Sequence, residues 1–293
     1  MSTYRLDQLF SPRSVAVVGA SPRVTSAGHA VLRNLRAAGF QGRLDLVNPH
    51  YSEIDGLRSV NSVLDLVEAP DLVAIAVPAQ EVPNVVAAAA KKGAAAAIII
   101  TAGLGHGPGS FADACAKAAH PKGLRLIGPN CIGVLAPRAR LNTSFTASMP
   151  QVGDLALISQ SGAIVAGMVE WAKVRDVGFS AIASLGDMVD VDVSDLLDFF
   201  ALDRATRAIL LYIESITDAR KFMSAARAAA RTKPVVVVKS GRHAQGAEQQ
   251  QHRARARQYH RVQFERGLAR RGADRAARVH DREHARHAVP RIT

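Results

Sequence analysis

Short apolar runs alternate with segments of helical periodicity along most of this chain, and this alternation restricts the fold more than any other feature. Each run ends at small or turn-forming residues, and helical segments follow most of them. Parallel strands need long crossover connections, usually helices, so this pattern is typical of a parallel sheet covered on both faces. The sequence therefore predicts an α/β protein with doubly wound sheets.

The predicted elements fall into two sets, each sufficient for one domain. The first set has strands near 14–21, 43–47, 71–78, 95–101 and 124–127, and helices over 27–39, 80–92 and 108–119. The second set has strands at 155–158, 179–184, 208–213 and 234–239, and helices over 163–175, 193–201 and 218–231. A linker rich in Pro, Ser and Thr, 137–150, separates them. We expect a first domain over 1–147 and a second, with flavodoxin-like strand order, over 148–246.

The composition excludes several classes of protein. No apolar run approaches the roughly 20 residues of a membrane span, and the start of the chain lacks the apolar core of a secretory signal. We therefore expect a cytoplasmic protein without membrane contact. Cys115 and Cys131 are too few for a disulfide framework and lack metal-ligand spacing, so they are interpreted as buried or incidental thiols, with no metal site.

The last segment, 247–293, differs in character from the rest. It holds twelve Arg, no Lys and five acidic residues, so +7 of the net charge of +12 lies in this tail. One interpretation is a disordered basic tail that binds anions, and a nucleic-acid role rests on this tail alone. The other is an out-of-frame reading of an Arg-biased coding sequence, which the abrupt change within a domain favours.

Two strand–turn–helix units could bind anions. The turn Ser159-Gln160-Ser161-Gly162 follows an apolar strand and precedes a helix, whose N-terminal amides and dipole favour a phosphate. An ordinary connection with a capping Ser is the alternative. In the other unit, Gly19 would let the backbone approach a ligand closely, although the full GxGxxG pattern is missing. Two such domains in tandem suggest a site at their junction.

Several short motifs resemble the CoA-binding half of the NDP-forming acyl-CoA synthetases, relatives of the succinyl-CoA synthetase α subunit. They occur in the same order as in that family. The matching stretches are 14–21, 47–49, 53–57, 76–79, 125–133, 159–162, 184–186, 211–214 and 233–242. Each is weakly specific alone. The resemblance covers residues 5–246 and implies a Rossmann-like CoA-binding domain followed by a flavodoxin-like ligase domain of the succinyl-CoA-synthetase type.

The resemblance also implies a set of cofactor-binding residues along the first domain. Gly19, Ala20 and Ser21 would hold the CoA phosphates, and Asn48 and Pro49 would lie beside its adenosine end. The pantetheine path would be lined by Pro78, Thr101, Ala102 and Gly103. Asn130, which follows the last strand of the first domain, would contact the ligand at the carboxyl end of the sheet, unless it only fixes the turn.

In this family an acyl-CoA and phosphate give an acyl phosphate, a His takes the phosphoryl group, and an ATP-grasp module passes it to ADP. The phosphate would lie on Ser159, Gln160, Ser161 and Gly162, and Glu214 would orient the His. His252 lies about one place from the expected position. However, Arg253-Ala254 replaces the family's Thr-Gly, and His243 comes too early.

The sequence thus predicts the CoA-binding α-type portion of an ADP-forming acyl-CoA synthetase, acting on CoA and a small carboxylic acid. ADP or ATP with Mg²⁺ would bind only through an ATP-grasp partner that this chain lacks, so the chain alone is expected to be inactive. The alternatives are a non-catalytic CoA-binding or regulatory module, and a truncated relative of the synthetase-like proteins fused to an acetyltransferase.

Overall fold

The computed structural model describes residues 3–146 and 148–240 of the chain. The first sheet contains β1 (Ser14–Val18), β2 (Arg43–Val47), β3 (Glu53–Ile54), β4 (Leu57–Val60), β5 (Leu72–Ile75), β6 (Ala96–Ile99) and β7 (Arg125–Ile127). Their order is β3-β4-β2-β1-β5-β6-β7, and only the β3–β4 pair is antiparallel. Successive strands are added on one side of β1 up to β4 and on its other side from β5 onward, so the switch point of this doubly wound sheet, a usual place for a ligand, lies between β1 and β5.

Four helices accompany this sheet: α1 (Leu6–Phe10), α2 (Ala27–Ala37), α3 (Val82–Lys92) and α4 (Phe111–Ala119). Their starts follow local capping chemistry. The Ser26 hydroxyl accepts from the His29 amide at the start of α2, and the Ser110 hydroxyl accepts from the Asp113 amide at the start of α4. The Ser110 cap explains why α4 begins at Phe111, three residues later than the sequence predicted.

The second sheet contains β8 (Val134–Ala136), β9 (Leu141–Asn142), β10 (Gln151–Ser159), β11 (Gly178–Ser184), β12 (Ala208–Ile213) and β13 (Val235–Lys239). Its order is β13-β12-β10-β11-β8-β9, and the four strands β10–β13 are parallel in the flavodoxin-like arrangement. The helices are α5 (Gly162–Val174), α6 (Val193–Leu202) and α7 (Ala219–Ala230). The structure confirms the predicted α/β class. It also confirms that a flavodoxin-like sheet follows the first sheet along the chain.

The segment predicted as a linker contains β9 and lies between β8 and β10 of the second sheet. Strands β8 and β9 lie before the expected boundary at 147/148, yet β8 pairs antiparallel with β11. The side chains of Asn142, Thr143, Ser144 and Thr146 are buried. The Ser144 and Thr146 hydroxyls lie 2.7 Å apart, and Ser144 also donates to Asn142 Oδ1 at 2.6 Å. Polar side chains that bond to one another can be buried, so their polarity did not mark an exposed linker.

A strap, residues 186–192, runs from the end of β11 along β7 of the first sheet. The Val189 amide donates to the Gly128 carbonyl at 3.0 Å, and the Val191 amide donates to the Leu126 carbonyl at 3.1 Å. This ladder brings the carboxyl ends of β7 and β10 to the same region. In the described residues, no helix combines the length and the apolar character that a membrane crossing requires.

Candidate functional site

The loop between β1 and α2 passes very close to the helix that follows it. Gly19 has φ +87°, and its amide donates to the Val47 carbonyl at 2.9 Å. A Cβ atom on Gly28 would lie 1.9 Å from the Gly19 carbonyl oxygen, so only glycine fits at residue 28. The loop thus lies directly on the first turn of α2, where free amides and the helix dipole favour an anion.

The end of β2 is tied to this loop by Asn48. The Asn48 Nδ2 donates to the Ala20 carbonyl at 2.6 Å, and its Oδ1 accepts from the His50 amide at 2.8 Å. Beside it lies a cleft of about 730 Å³. Among the predicted CoA residues, Gly19, Asn48, Pro49 and Pro78 line this cleft. The Asn48 side chain therefore shapes the wall through its bonds to the backbone.

The loops after β5 and β6 are joined by Thr101. Its hydroxyl donates to the Val77 carbonyl at 2.6 Å, and its own carbonyl accepts from the Asn130 amide at 3.0 Å. Ala102 and Gly103 follow on the same loop, and Gly103 has φ +84°. The predicted pantetheine residues therefore lie on neighbouring loops at the carboxyl edge of the first sheet, next to the cleft and leading towards Asn130.

Asn130 follows β7 of the first sheet and contacts the strap. It has φ +60°, which an Asn tolerates better than most residues, and its Nδ2 donates to Asp187 Oδ1 at 3.1 Å. The Asp187 amide donates in turn to the Pro129 carbonyl at 2.9 Å. The neighbouring Cys131 thiol is buried, and burial raises its pKa to about 12. That thiol stays protonated at neutral pH and does not serve as a nucleophile.

The turn between β10 and α5 uses most of its polar groups internally. The buried Ser159 hydroxyl accepts from the Ser161 amide at 3.1 Å and donates to the Ser161 carbonyl at 2.9 Å. The Ser161 side chain does not cap α5. The first amides of a helix have no intrahelical acceptor, so the amides that begin at Gly162 and the Ser161 hydroxyl are the donors available to an anion here.

The Gln160 side chain bonds to the turn after β12 and does not point towards a ligand site. Its Oε1 accepts from the amides of Glu214 and Ser215 at 2.5 and 2.9 Å. Its Nε2 donates to the Ser215 carbonyl at 2.7 Å and contacts Met188 Sδ at 3.2 Å. The Glu214 side chain is exposed at this edge. The predicted phosphate turn and the predicted catalytic carboxylate therefore lie side by side.

The loop that carries Asn130 also packs against the phosphate turn. The Ile132 side chain lies 2.7 Å from the position of a Cβ on Gly162, and the Ile132 amide donates to the Ser184 hydroxyl at 3.1 Å. The site thus combines the carboxyl ends of β7, β10, β11 and β12. His252, the other predicted catalytic residue, lies outside the described residues.

Several residues of this site are absent from the sequence-based prediction. Gly28, Asp187 and Met188 contribute, and Met188 has φ +53°, which is uncommon for a residue other than Gly, Asn or Asp. The spacing of Gly19 and Gly28 across a strand–helix turn could have indicated that Gly28 takes part in the close packing of the loop on α2. No sequence pattern marks Asp187 or Met188, because their role depends on contacts between the two sheets.

Comparison with known proteins agrees with this architecture. The family described as "CoA binding domain" matches residues 13–137, and the family described as "Succinyl-CoA ligase like flavodoxin domain" matches residues 152–286. The second match extends into the tail, beyond residue 246, where the resemblance was predicted to end. The chain belongs to the ADP-forming acyl-CoA synthetase family. The predicted family is therefore confirmed.

Individual members of the family show the same correspondence. Acetate–CoA ligase [ADP-forming] I of Archaeoglobus fulgidus is 40% identical over 83% of this chain and 36% of its own length. The ligase I subunit alpha of Pyrococcus furiosus is 38% identical over 83% of this chain and 54% of its own length. This chain therefore spans about half of the alpha subunit and about a third of the longer relative.

A solved structure has the same fold. The Ca. Korarchaeum cryptofilum dinucleotide forming acetyl-coenzyme A synthetase 1, in complex with phosphate and ADP, has a TM-score of 0.79 and 36% sequence identity. The match covers 85% of this chain and 54% of that one. The chain thus corresponds to the CoA-binding and flavodoxin-like part of family members.

Proposed function

We propose that this chain is the α-type portion of an ADP-forming acyl-CoA synthetase, with CoA bound in the first domain and phosphate at the amino end of α5. The observation that carries the proposal is the packing of Ile132 against Gly162, because it joins the CoA-side loop to the phosphate turn. A thioester held along the loops of the first sheet would then reach an anion held at α5. Catalysis by positioning requires this proximity.

The first domain fits CoA on two structural grounds. The close approach of Gly19 to Gly28 presents the amino end of α2 to a diphosphate, as in other nucleotide-binding folds. The cleft beside it is lined by Asn48, Pro49 and Pro78 and has the volume expected of a small-molecule site. Thr101, Ala102 and Gly103 would continue the path towards Asn130.

The chemistry divides among the site residues. Phosphate attacks the thioester carbonyl, which releases CoA as the thiol and leaves an acyl phosphate. The amides that begin at Gly162 and the Ser161 hydroxyl would stabilise the phosphate charge. A His then takes the phosphoryl group and releases the acid, and Glu214 would orient that His. The phosphoryl group finally passes to ADP with Mg²⁺ on an ATP-grasp subunit or domain.

The substrate is proposed to be a small carboxylic acid. The relatives named above are called acetate–CoA ligases, and a further relative, from Nitrosopumilus maritimus, is called 4-hydroxybutyrate–CoA ligase. Both names describe short aliphatic acids, and we propose an acyl group of this kind for this chain.

A non-catalytic CoA-binding module is the second candidate function. It is favoured by one departure from the family pattern, the replacement of Thr-Gly by Arg253-Ala254 after His252. The family's glycine beside the phosphorylated side chain allows close backbone approach, whereas Arg253 and Ala254 both carry a Cβ atom. Under this candidate the first domain would still bind CoA, whereas no phosphoryl group would reach the chain.

One experiment distinguishes the two. The full chain is incubated with acetyl-CoA and labelled phosphate, with and without a candidate ATP-grasp subunit and ADP, and acid-labile phosphohistidine is measured. ATP formation with label on His252 supports the synthetase, and Glu214→Gln should reduce it roughly 100-fold or more while CoA binding persists. CoA binding without any phosphohistidine or ATP would contradict the synthetase and support the non-catalytic module.

A further inference from the structure

The side chain of Gln160 has no free hydrogen-bonding capacity for a ligand. A side-chain amide has two donor hydrogens and an oxygen that accepts two bonds. Here the oxygen accepts from two amides, at Glu214 and Ser215, and the nitrogen donates to the Ser215 carbonyl and contacts Met188 Sδ. Only 9% of Gln160 is exposed. The residue therefore serves its protein neighbours and would not bind the phosphate directly.

These bonds hold the backbone of Glu214 from one side, and a second side chain holds it from the other. The Gln160 Oε1 accepts from the Glu214 amide at 2.5 Å, whereas the Lys239 Nζ donates to the Glu214 carbonyl at 2.9 Å. The backbone amide of Gln160 donates to the Tyr212 carbonyl at 3.1 Å, and this bond extends the pairing of β10 with β12. The peptide groups on both sides of Glu214 are thus fixed, while its exposed carboxylate can face a reacting group.

Gln160 also connects this turn to the strap. Its Nε2 lies 3.2 Å from Met188 Sδ, and the Leu185 amide just before the strap donates to the Ser159 carbonyl at 2.9 Å. Met188 adopts the left-handed conformation. Left-handed residues of this kind persist where the surrounding contacts determine the backbone, and they are concentrated at functional sites.

We infer that Gln160 is a positioning residue, which fixes the carboxylate of Glu214 relative to the anion-binding amides that begin at Gly162. This inference rests on the proposed phosphoryl-transfer function for its consequence, but the positioning itself is a property of the described residues. A misplacement of about 1 Å at a reacting group can reduce the rate roughly 100-fold. Loss of Gln160 should therefore slow turnover without weakening CoA binding.

The test uses the full chain and two variants. Gln160→Met keeps the length of the side chain and removes its hydrogen bonds, whereas Gln160→Glu keeps an oxygen that accepts from the amides of Glu214 and Ser215 and loses the donor bond to the Ser215 carbonyl. The control is Gln151→Met at the start of β10, since Gln151 is exposed and its side chain donates to Asp176 Oδ1 at 3.1 Å. Hydrogen exchange of the backbone amides of Glu214 and Ser215 is measured first. The NMR chemical shift of the Gly162 backbone amide is then followed during titration with inorganic phosphate.

We expect Gln160→Met to speed exchange at Glu214 and Ser215 at least roughly 10-fold, while Gln160→Glu retains more protection than Gln160→Met and the control retains it fully. In the enzyme reconstituted with an ATP-grasp subunit, Gln160→Met should lower kcat roughly 10-fold to 100-fold with an unchanged KM for CoA. Unchanged exchange in Gln160→Met, or an undiminished kcat, would overturn the inference. An inactive wild type would instead contradict the proposed synthetase, and the exchange and phosphate titrations would still decide whether Gln160 holds the turn.

Discussion

The carbonyl oxygen of Gly19 lies 1.9 Å from the position that a Cβ atom on Gly28 would occupy. Both partners of this contact are backbone groups, so no side-chain rotation can relieve it. We predict that Gly28→Ala displaces α2 from the loop, lowers the free energy of unfolding by about 1–3 kcal/mol, and weakens CoA binding at least roughly 10-fold. Urea unfolding and calorimetry with CoA measure the two effects.

The control for this substitution is Gly167→Ala. Gly167 lies inside α5, and a Cβ on this residue would have no neighbour within 4 Å. Alanine in a helix interior is favoured over glycine, so the free energy of unfolding should rise by about 0.5–1 kcal/mol with no change in CoA affinity. A Gly28→Ala variant with the CoA affinity of the wild type would contradict the close-approach explanation.

Asn34 connects α2 to the segment between β9 and β10 of the second sheet. Its buried Nδ2 donates to the carbonyls of Ser144 and Thr146, both at 2.8 Å. We predict that Asn34→Leu, which leaves two buried carbonyls without donors, lowers the free energy of unfolding by about 2–4 kcal/mol in urea unfolding. Gln41→Leu is the matched control, because Gln41 donates to one exposed carbonyl, and it should change stability by no more than about 0.5 kcal/mol. Equal effects of the two substitutions would contradict this assignment.

Asn34 also illustrates the limit of the sequence analysis. The periodicity of residues 27–39 predicts α2, and an Asn within its buried face does not alter that prediction. Its partners are carbonyls more than a hundred residues away, in a segment whose Pro, Ser and Thr content predicted a linker. Local composition cannot indicate a long-range bond that makes polar residues suitable for the interior.

The helices and parallel strands were predictable because their apolar periodicity is local. The short strands β3, β4, β8 and β9 were not, since a few residues leave almost no periodic signal and their pairing depends on neighbouring strands. For the site, the positions of Ser161 and Gly162 at the start of α5 follow from the strand–turn–helix pattern. The bonds of Gln160 to Glu214 and Ser215 depend on the distance between β10 and β12, which the sequence does not contain.

Lys221 on α7 stabilises two neighbouring carboxylates, a buried one on Asp195 and a partly buried one on Asp192. Its Nζ lies 2.7 Å from Asp195 Oδ1 and 3.0 Å from Asp192 Oδ2. Burial raises the pKa of the Asp195 carboxyl, and the hydrogen bond from Lys221 opposes that rise. We predict that Lys221→Met lowers the free energy of unfolding by about 1–2 kcal/mol at pH 7, a value reduced for solvent screening because the Lys221 side chain is 38% exposed.

The pH dependence of this loss has a definite sign. Without Lys221 the pKa of Asp195 in the folded state moves further above its unfolded value, so stability is lost as the pH rises through the folded value. The deficit relative to the wild type should therefore develop with rising pH and shrink in acid, where the carboxyl is protonated in both states. Lys117→Met, which removes an exposed ion pair with Asp113, should show little deficit at any pH. A Lys221→Met deficit that is constant from acid to neutral pH would contradict the prediction.

The two thiols are predicted to be unreactive in the folded chain. Burial raises the pKa of Cys115 to about 11 and that of Cys131 to about 12. At pH 8 the thiolate fraction is therefore roughly 100-fold or more below that of an ordinary cysteine. Iodoacetamide should label neither residue in the native chain and both residues in urea, as measured by mass spectrometry. Rapid labelling of the native chain would show that these positions are accessible.

The most direct test of the account is calorimetric titration of the full chain with CoA. The loop that joins Gly19 to Gly28 and the cleft beside Asn48 predict one bound CoA per chain. They also predict that Gly167→Ala retains this binding and that Gly28→Ala weakens it at least roughly 10-fold. A folded chain that takes up no CoA would contradict the assignment of the first domain and the function proposed from it.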